Sequence, residues 1–161
     1  MRKTRIYQTK YPYLITTNID TGVFYFHDSI NAQILSKNIF FYTNKLNIKL
    51  YSYIIMPDHL HLIIKQSNLS DNVSKFLKGI KGYTWKEMET HKDNQLLQSM
   101  WQKSFHYKII KNKIYFVRAL KYLKNNPVKE NLKEKFHSLP YYHYNKNLII
   151  NEIQCFHNHD N

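Results

Sequence analysis

The order in which β-rich and helix-periodic segments alternate predicts an α+β fold: a ferredoxin-like antiparallel sheet with helices on one face, followed by a further helix bearing a tyrosine. Three observations support this class. Segments dense in β-branched and aromatic residues alternate with segments whose apolar residues recur every three to four positions, in the order β-α-β-β-α-β-α. Pro57-Asp58 separates two β-rich runs by no more than a turn, which makes them antiparallel neighbours. Only three Gly and four Pro punctuate 161 residues, so no stretch reads as a domain linker.

Tyr13-Leu14-Ile15-Thr16-Thr17 is β-branched and aromatic and reads as the first strand. Asn18–Gly22 is turn-like. From Phe26 to about Tyr42, apolar residues at Ile30, Ile34 and Phe41 keep helical spacing, with Asp28 or Ser29 placed as the N-cap. Ile48–Met56 is a second strand and His59–Ile64 a third, antiparallel to it. Ser70 reads as the N-cap of a second helix reaching about Thr90, with Val73, Phe76, Leu77 and Ile80 as its apolar stripe. Phe105–Ile110 is a fourth strand. Asn112 caps a third helix with Ile114, Val117 and Leu120 towards the core. Pro127 is expected to end it near Asn126, because the residue before a proline is pushed out of the α region. From Lys129 onward the chain is polar and weakly patterned, so residues 133–161 are expected to wrap the surface or form an accessory segment.

Lys and Arg number 24 against 11 Asp and Glu, a formal charge of +13. Such a surface binds phosphate polymers by releasing their counterions. The 14 Tyr, 9 Phe and 2 Trp interleaved with Lys suit unpaired bases. An AT-rich genome, which raises Lys, Asn, Ile, Tyr and Phe together, is the competing source of this composition. The hydrophobic share of 43% excludes wholesale disorder. No apolar run reaches the roughly 18 residues of a membrane span, and the opening MRKTRIYQTKYPYLITT lacks the apolar centre of a secretory signal. A single cysteine, Cys155, excludes an intrachain disulfide framework and a cysteine zinc site. The expectation is a cytosolic, basic, single-domain globule.

Two motifs carry chemistry. In Met56-Pro57-Asp58-His59-Leu60-His61-Leu62, strand alternation sends His59 and His61 to one face and Leu60 to the other. Paired imidazoles can hold a divalent ion, although a chain with nine histidines can also place two of them there incidentally. In Tyr122-Leu123-Lys124-Asn125-Asn126-Pro127-Val128, Tyr122 and Asn126 share a helix face. A phenolic oxygen can attack phosphorus and an amide oxygen can ligate a hard cation. The same two residues can equally be a core aromatic and a helix C-cap before proline.

Together these residues resemble a known family, the single-tyrosine HUH transposases, and within it the REP-associated tyrosine transposases of bacteria. The His-hydrophobic-His motif is matched by His59-Leu60-His61, and the family's Trp-Gln block by Trp101-Gln102-Lys103-Ser104-Phe105. The tyrosine helix ending in Asn-Pro-Val is matched by Tyr122 through Val128, and Tyr13–Thr17 is similar to the opening strand. Order and spacing agree over roughly residues 10–132.

The resemblance implies a catalytic domain over residues 1–132 that cleaves and rejoins single-stranded DNA at hairpin-flanked sites. Tyr122 would form a transient 5′-phosphotyrosine bond, leaving a free 3′-OH, with Mg²⁺ or Mn²⁺ held by His59, His61 and Asn126. The implied partner is single-stranded DNA with a hairpin or palindromic repeat, met in the bacterial cytoplasm at the nucleoid. Charge alone nominates Arg2, Lys3, Arg5, Lys75, Lys78 and Lys81 for DNA contact. The short connection between Ile110 and Asn112 favours a monomer, whereas insertion-sequence relatives swap the tyrosine helix between two subunits. Two neutral imidazoles and an amide give a metal no protein anion unless Asp58 approaches, so weak binding that strengthens with a DNA phosphate is expected. Two departures from the family stand out. Tyr107-Lys108 replaces an Asp-His pair common in relatives, and Asn126 stands where insertion-sequence relatives place Gln. The competing function is a non-catalytic module, a domesticated remnant, that binds single-stranded DNA or an RNA hairpin. It needs the same basic and aromatic surface but not the four site residues together. Larger replication initiators and relaxases often carry a second tyrosine; here Tyr115 reads as a packing aromatic instead.

Overall fold

The computed structural model describes residues 8–19, 22–70, 73–91 and 101–157. Its strands are β1 (Tyr13–Asn18), β2 (Ile48–Ile55), β3 (His59–Gln66), β4 (His106–Ile109) and β5 (Tyr142–Tyr144). Its helices are α1 (Ser29–Lys45), α2 (Val73–His91), α3 (Lys113–Lys129) and α4 (Lys146–His157), with 3₁₀ turns at Tyr25–His27 and Glu134–His137. The α+β class and the β-α-β-β-α-β-α order read from the sequence hold. The sheet runs β4-β1-β3-β2-β5 and is antiparallel throughout.

Strand alternation divides the interior into two cores. Tyr13, Ile15, Tyr53, Leu60, Leu62 and Ile64 face α1 and α2, meeting Leu35, Ile39, Phe76 and Ile80. Ile54, Ile63 and Tyr51 face the opposite way, onto Phe116, Ala119, Leu123 and Phe156 of α3 and α4. A bulge between Leu50 and Ser52 brings the extra residue, Tyr51, onto this second face. Among the described residues no helix is long and apolar enough to cross a membrane.

Asp28 caps α1 as read, accepting from the Ile30 N–H at 2.9 Å. The start of α2 differs from expectation. Ser70 is no N-cap; its hydroxyl donates to Asn68 Oδ1 at 2.9 Å, and the helix opens at Val73, whose N–H is taken by Gln66 Oε1 at 3.1 Å. The side chain that ends β3 thus satisfies a free donor of α2. The end of α3 also differs. The helix runs through Pro127 to Lys129 and stops at Asn131, whose φ is 52°. Leu132 N–H bonds Pro127 O at 2.9 Å and Asn131 N–H bonds Val128 O at 3.1 Å, a Schellman closure with Asn in the left-handed position. Proline one turn from the end removes a single ladder bond, and the closure beyond it decides where the helix stops. The buried face of α3 is Phe116, Ala119 and Leu123, whereas Ile114 is exposed.

The segment expected as a surface tail does more. Within residues 133–157, β5 pairs with β2, and α4 covers the second core. Buried Glu152 fixes α4 to the sheet, accepting from the Tyr51 hydroxyl at 2.5 Å and from Lys65 Nζ at 2.7 Å. The strand is three residues long and the helix stripe short, so neither rises above its polar neighbours in the sequence.

Candidate active site

His59 and His61 lie on β3 with their rings 4.8 Å apart, on the face covered by α3. His61 is buried beneath that helix, and Tyr122 reaches it from above: the phenol hydroxyl and His61 Nε2 are 3.2 Å apart. The opposite nitrogen, Nδ1, is 2.7 Å from Thr16 Oγ1 on β1, the residue in register with His61. His59 is oriented from its own turn, with Nδ1 2.6 Å from Asp58 Oδ1. A carboxylate only accepts, so His59 donates from Nδ1, and the neutral ring then carries its lone pair on Nε2. When His61 donates to Thr16 it likewise accepts the Tyr122 proton at Nε2, and both rings then present lone pairs on the same kind of atom. Burial, and secondarily the nearby His59, push the His61 pKa down to about 3, so its ring is neutral near pH 7.

Asn126 is buried one turn beyond Tyr122, and its amide Nδ2 position has no hydrogen-bond partner among the described residues. Lys129 Nζ lies 5.5 Å from the Tyr122 ring centroid. Asp58, bonded to the Nδ1 side of His59, serves as that ring's support. Among the described residues no three His, Cys, Asp or Glu side chains gather as a metal site. The arrangement therefore sets the hydroxyl of a partly exposed tyrosine against one imidazole nitrogen, with a second imidazole next to the first and an orphaned amide one helical turn on. The sequence model described as "Transposase IS200 like" matches residues 5–126, about three quarters of the chain.

The chain belongs to the IS200-like transposase family.

The transposase is similar in fold to a solved REP-associated tyrosine transposase bound to a REP hairpin. The TM-score is 0.72 at 19% identity, covering 88% of this chain and 81% of that one. A candidate transposase from Deinococcus radiodurans R1 matches with TM-score 0.46 and 18% identity over 78% of this chain and 97% of that one. No curated protein sequence matches.

In the transposase, the Trp-Gln block is a clasp. Trp101 is buried against Phe26, and Gln102 N–H bonds Asn18 O at 2.9 Å, tying this loop to the end of β1. Lys81 Nζ donates to Gln102 O at 2.8 Å, so that lysine secures the same loop. Lys75 and Lys78 are exposed on α2, in the layer across the sheet from His59 and His61. The structure thus separates the α2 lysines from the histidine face. Arg2, Lys3 and Arg5 lie outside the described residues. Of the departing pair, Tyr107 turns away from the histidines and packs edge-on to Tyr13, while Lys108 is exposed on the histidine face with His106. Sequence reasoning missed Thr16 and Lys129. The alternation of β1 would have placed Thr16 on the right face, but its pairing register with β3 is not written in either strand alone. Tyr115, read as a packing aromatic, is 58% exposed.

Proposed function

We propose that this transposase is a tyrosine transesterase that cleaves and rejoins single-stranded DNA at hairpin-flanked sites. The observation that carries this reading is the meeting of the Tyr122 hydroxyl with His61 Nε2, from positions 61 residues apart in the chain. Tyr122 is more than one third exposed, so its side chain is open to an incoming strand. The phenolic oxygen attacks the scissile phosphorus, a tyrosine O–P bond forms, and the bond to the 3′ oxygen breaks. The phenolic proton passes to water, and the departing oxygen takes up a proton to become a free 3′-OH. Attack by a second 3′-OH reverses the exchange and restores the phenol; one phosphate ester replaces another, so no high-energy cofactor is needed.

His59, His61 and Asn126 are the residues that would hold Mg²⁺ or Mn²⁺, and such an ion would stabilise charge on the phosphoryl oxygens. The donors fit once the Tyr122 hydroxyl turns from His61 to the phosphate: Nε2 of His59, Nε2 of His61, and a buried amide whose nitrogen and oxygen are interchangeable in assignment. Asp58 holds the His59 ring in the tautomer such binding requires, and the Thr16 hydroxyl can accept from His61 Nδ1 to do the same. The similar structure with a REP hairpin supports a hairpin as the DNA partner. A monomer is the proposed working unit; what supports it over a helix-swapped dimer is that Tyr122 of α3 meets His61 of β3 within one chain.

The test incubates the protein with labelled single-stranded hairpin DNA from its own gene's flanks and Mn²⁺ or Mg²⁺. A covalent adduct that needs the ion and disappears in Tyr122→Phe and His61→Ala is expected. Tight hairpin binding with no adduct would instead support the non-catalytic binding module, and an adduct surviving in Tyr122→Phe would place the nucleophile elsewhere.

A further inference from the structure

Helix α3 carries Lys113, Arg118, Lys121, Lys124 and Lys129 and not one Asp or Glu. A helix that only needed solubility would mix signs on its outer face; this one presents a polycation. Two of its cations sit over aromatic rings. Arg118 lies 5.8 Å from the Tyr115 ring centroid, and Lys129 lies 5.5 Å from that of Tyr122. Tyr115 is seven residues before Tyr122, which places it about 10.5 Å along the axis and only about 20° around it. The helix packs through Phe116, Ala119 and Leu123, so the Tyr115 ring, 58% exposed, contributes little to the core. An aromatic ring paired with a cation thus recurs two turns on, so rings and positive charges share one side of the helix.

We propose that Tyr115 and Arg118 form a subsite for single-stranded DNA next to the bond that Tyr122 attacks, with a base stacked on the Tyr115 ring and a phosphate on the Arg118 guanidinium. The proposal rests on the transesterase reading for its occupant. At about 3.4 Å per stacked step, the distance between the two tyrosines spans about three nucleotides, fewer if the strand is extended. Stacking accepts every base, so this subsite adds affinity and alignment without adding sequence preference. Tyr115 is thereby a strand-positioning residue.

The test measures fluorescence anisotropy of labelled oligothymidylate, which contains no hairpin and no cleavage site, with the full chain over a range of salt. Tyr115→Ala is expected to bind about tenfold more weakly with an unchanged salt slope, because a stacking face is lost and no charge. Tyr115→Phe keeps the face and should bind within twofold of wild type. Arg118→Ala should lower the slope of log affinity against log salt by about 0.7, the value of one phosphate on a single strand. Thermal melts by circular dichroism should be the same for all four proteins. Tyr115→Ala binding within twofold of wild type, Tyr115→Phe failing as badly as alanine, or wild type ignoring oligothymidylate would each overturn the subsite. None of these outcomes touches the Tyr122 adduct assay. Conversely, loss of stacking in Tyr115→Ala with no adduct from wild type would keep the subsite and remove the transesterase.

Discussion

Each imidazole on β3 is held at Nδ1, His59 by Asp58 and His61 by Thr16, and for His61 that leaves Nε2 to face the Tyr122 phenol. Asp58 is a positioning residue. Asp58→Ala should lower hairpin cleavage by roughly 10- to 100-fold, while Asp58→Asn, which keeps an acceptor for the Nδ1 proton, should recover most of it. Equal losses in the two variants would show that the negative charge matters and the orientation does not. A second prediction concerns His61 Nε2, which accepts from Tyr122 and cannot at once ligate a cation. Removing that hydroxyl in Tyr122→Phe should tighten Mn²⁺ binding in the presence of hairpin DNA by about fivefold, the worth of one net hydrogen bond. Calorimetry would show it, and a weaker Mn²⁺ affinity in the variant would refute it. At this scale the two histidines, the tyrosine and the asparagine were legible because periods of two and of four assign faces from sequence alone. Thr16 was not, because cross-strand register is a property of two segments jointly.

Between elements, α1 and α2 approach closely where Gly79 faces the Tyr42 ring. A Cβ there would lie 2.4 Å from Tyr42 Cε1, whereas one on Gly82 would meet nothing within 4 Å. The two glycines share a helix and should respond with opposite signs. Gly79→Ala is expected to destabilise by about 1–3 kcal/mol through overpacking, net of any helix-propensity gain. Gly82→Ala should stabilise by about 0.5–1 kcal/mol, since alanine is the better helix former and nothing obstructs it. Urea unfolding of both variants checks the pair, and a destabilised Gly82→Ala would contradict the open surface. Strands and helices as far as α3 were readable because each is long enough to show its period. The start of α2 and the end of α3 were not. One depends on a glutamine reaching across from β3, and the other on a left-handed asparagine four residues after the proline. Both endings are settled by where free backbone groups find partners, which local propensity does not encode.

For the molecule as a whole, burial holds the pKa of His61 far below its usual 6.5 and that of His143 below it as well. Both rings stay neutral in the fold while the unfolded chain protonates them. Stability from these two groups is therefore complete above about pH 6.5 and is lost progressively as pH falls towards their folded values. Thermal midpoints should drop on acidification below that point, and His61→Gln should flatten the drop without abolishing it, because His143 still contributes. A midpoint independent of pH down to about pH 4.5 would contradict the buried neutral rings. The second core was the least legible part of the whole, because β5 and α4 derive their stability from a surface that exists only after the first four strands and α3 have met. That dependence has a consequence for how the protein is made. Synthesis delivers the histidines early, the tyrosine some sixty residues later, and only then the Glu152 helix that closes over Phe116 and holds α3 down. A chain cut short before α4 keeps both histidines and the tyrosine but lacks Phe156 against Phe116 and Glu152 against Tyr51, so α3 should sit on the sheet less firmly.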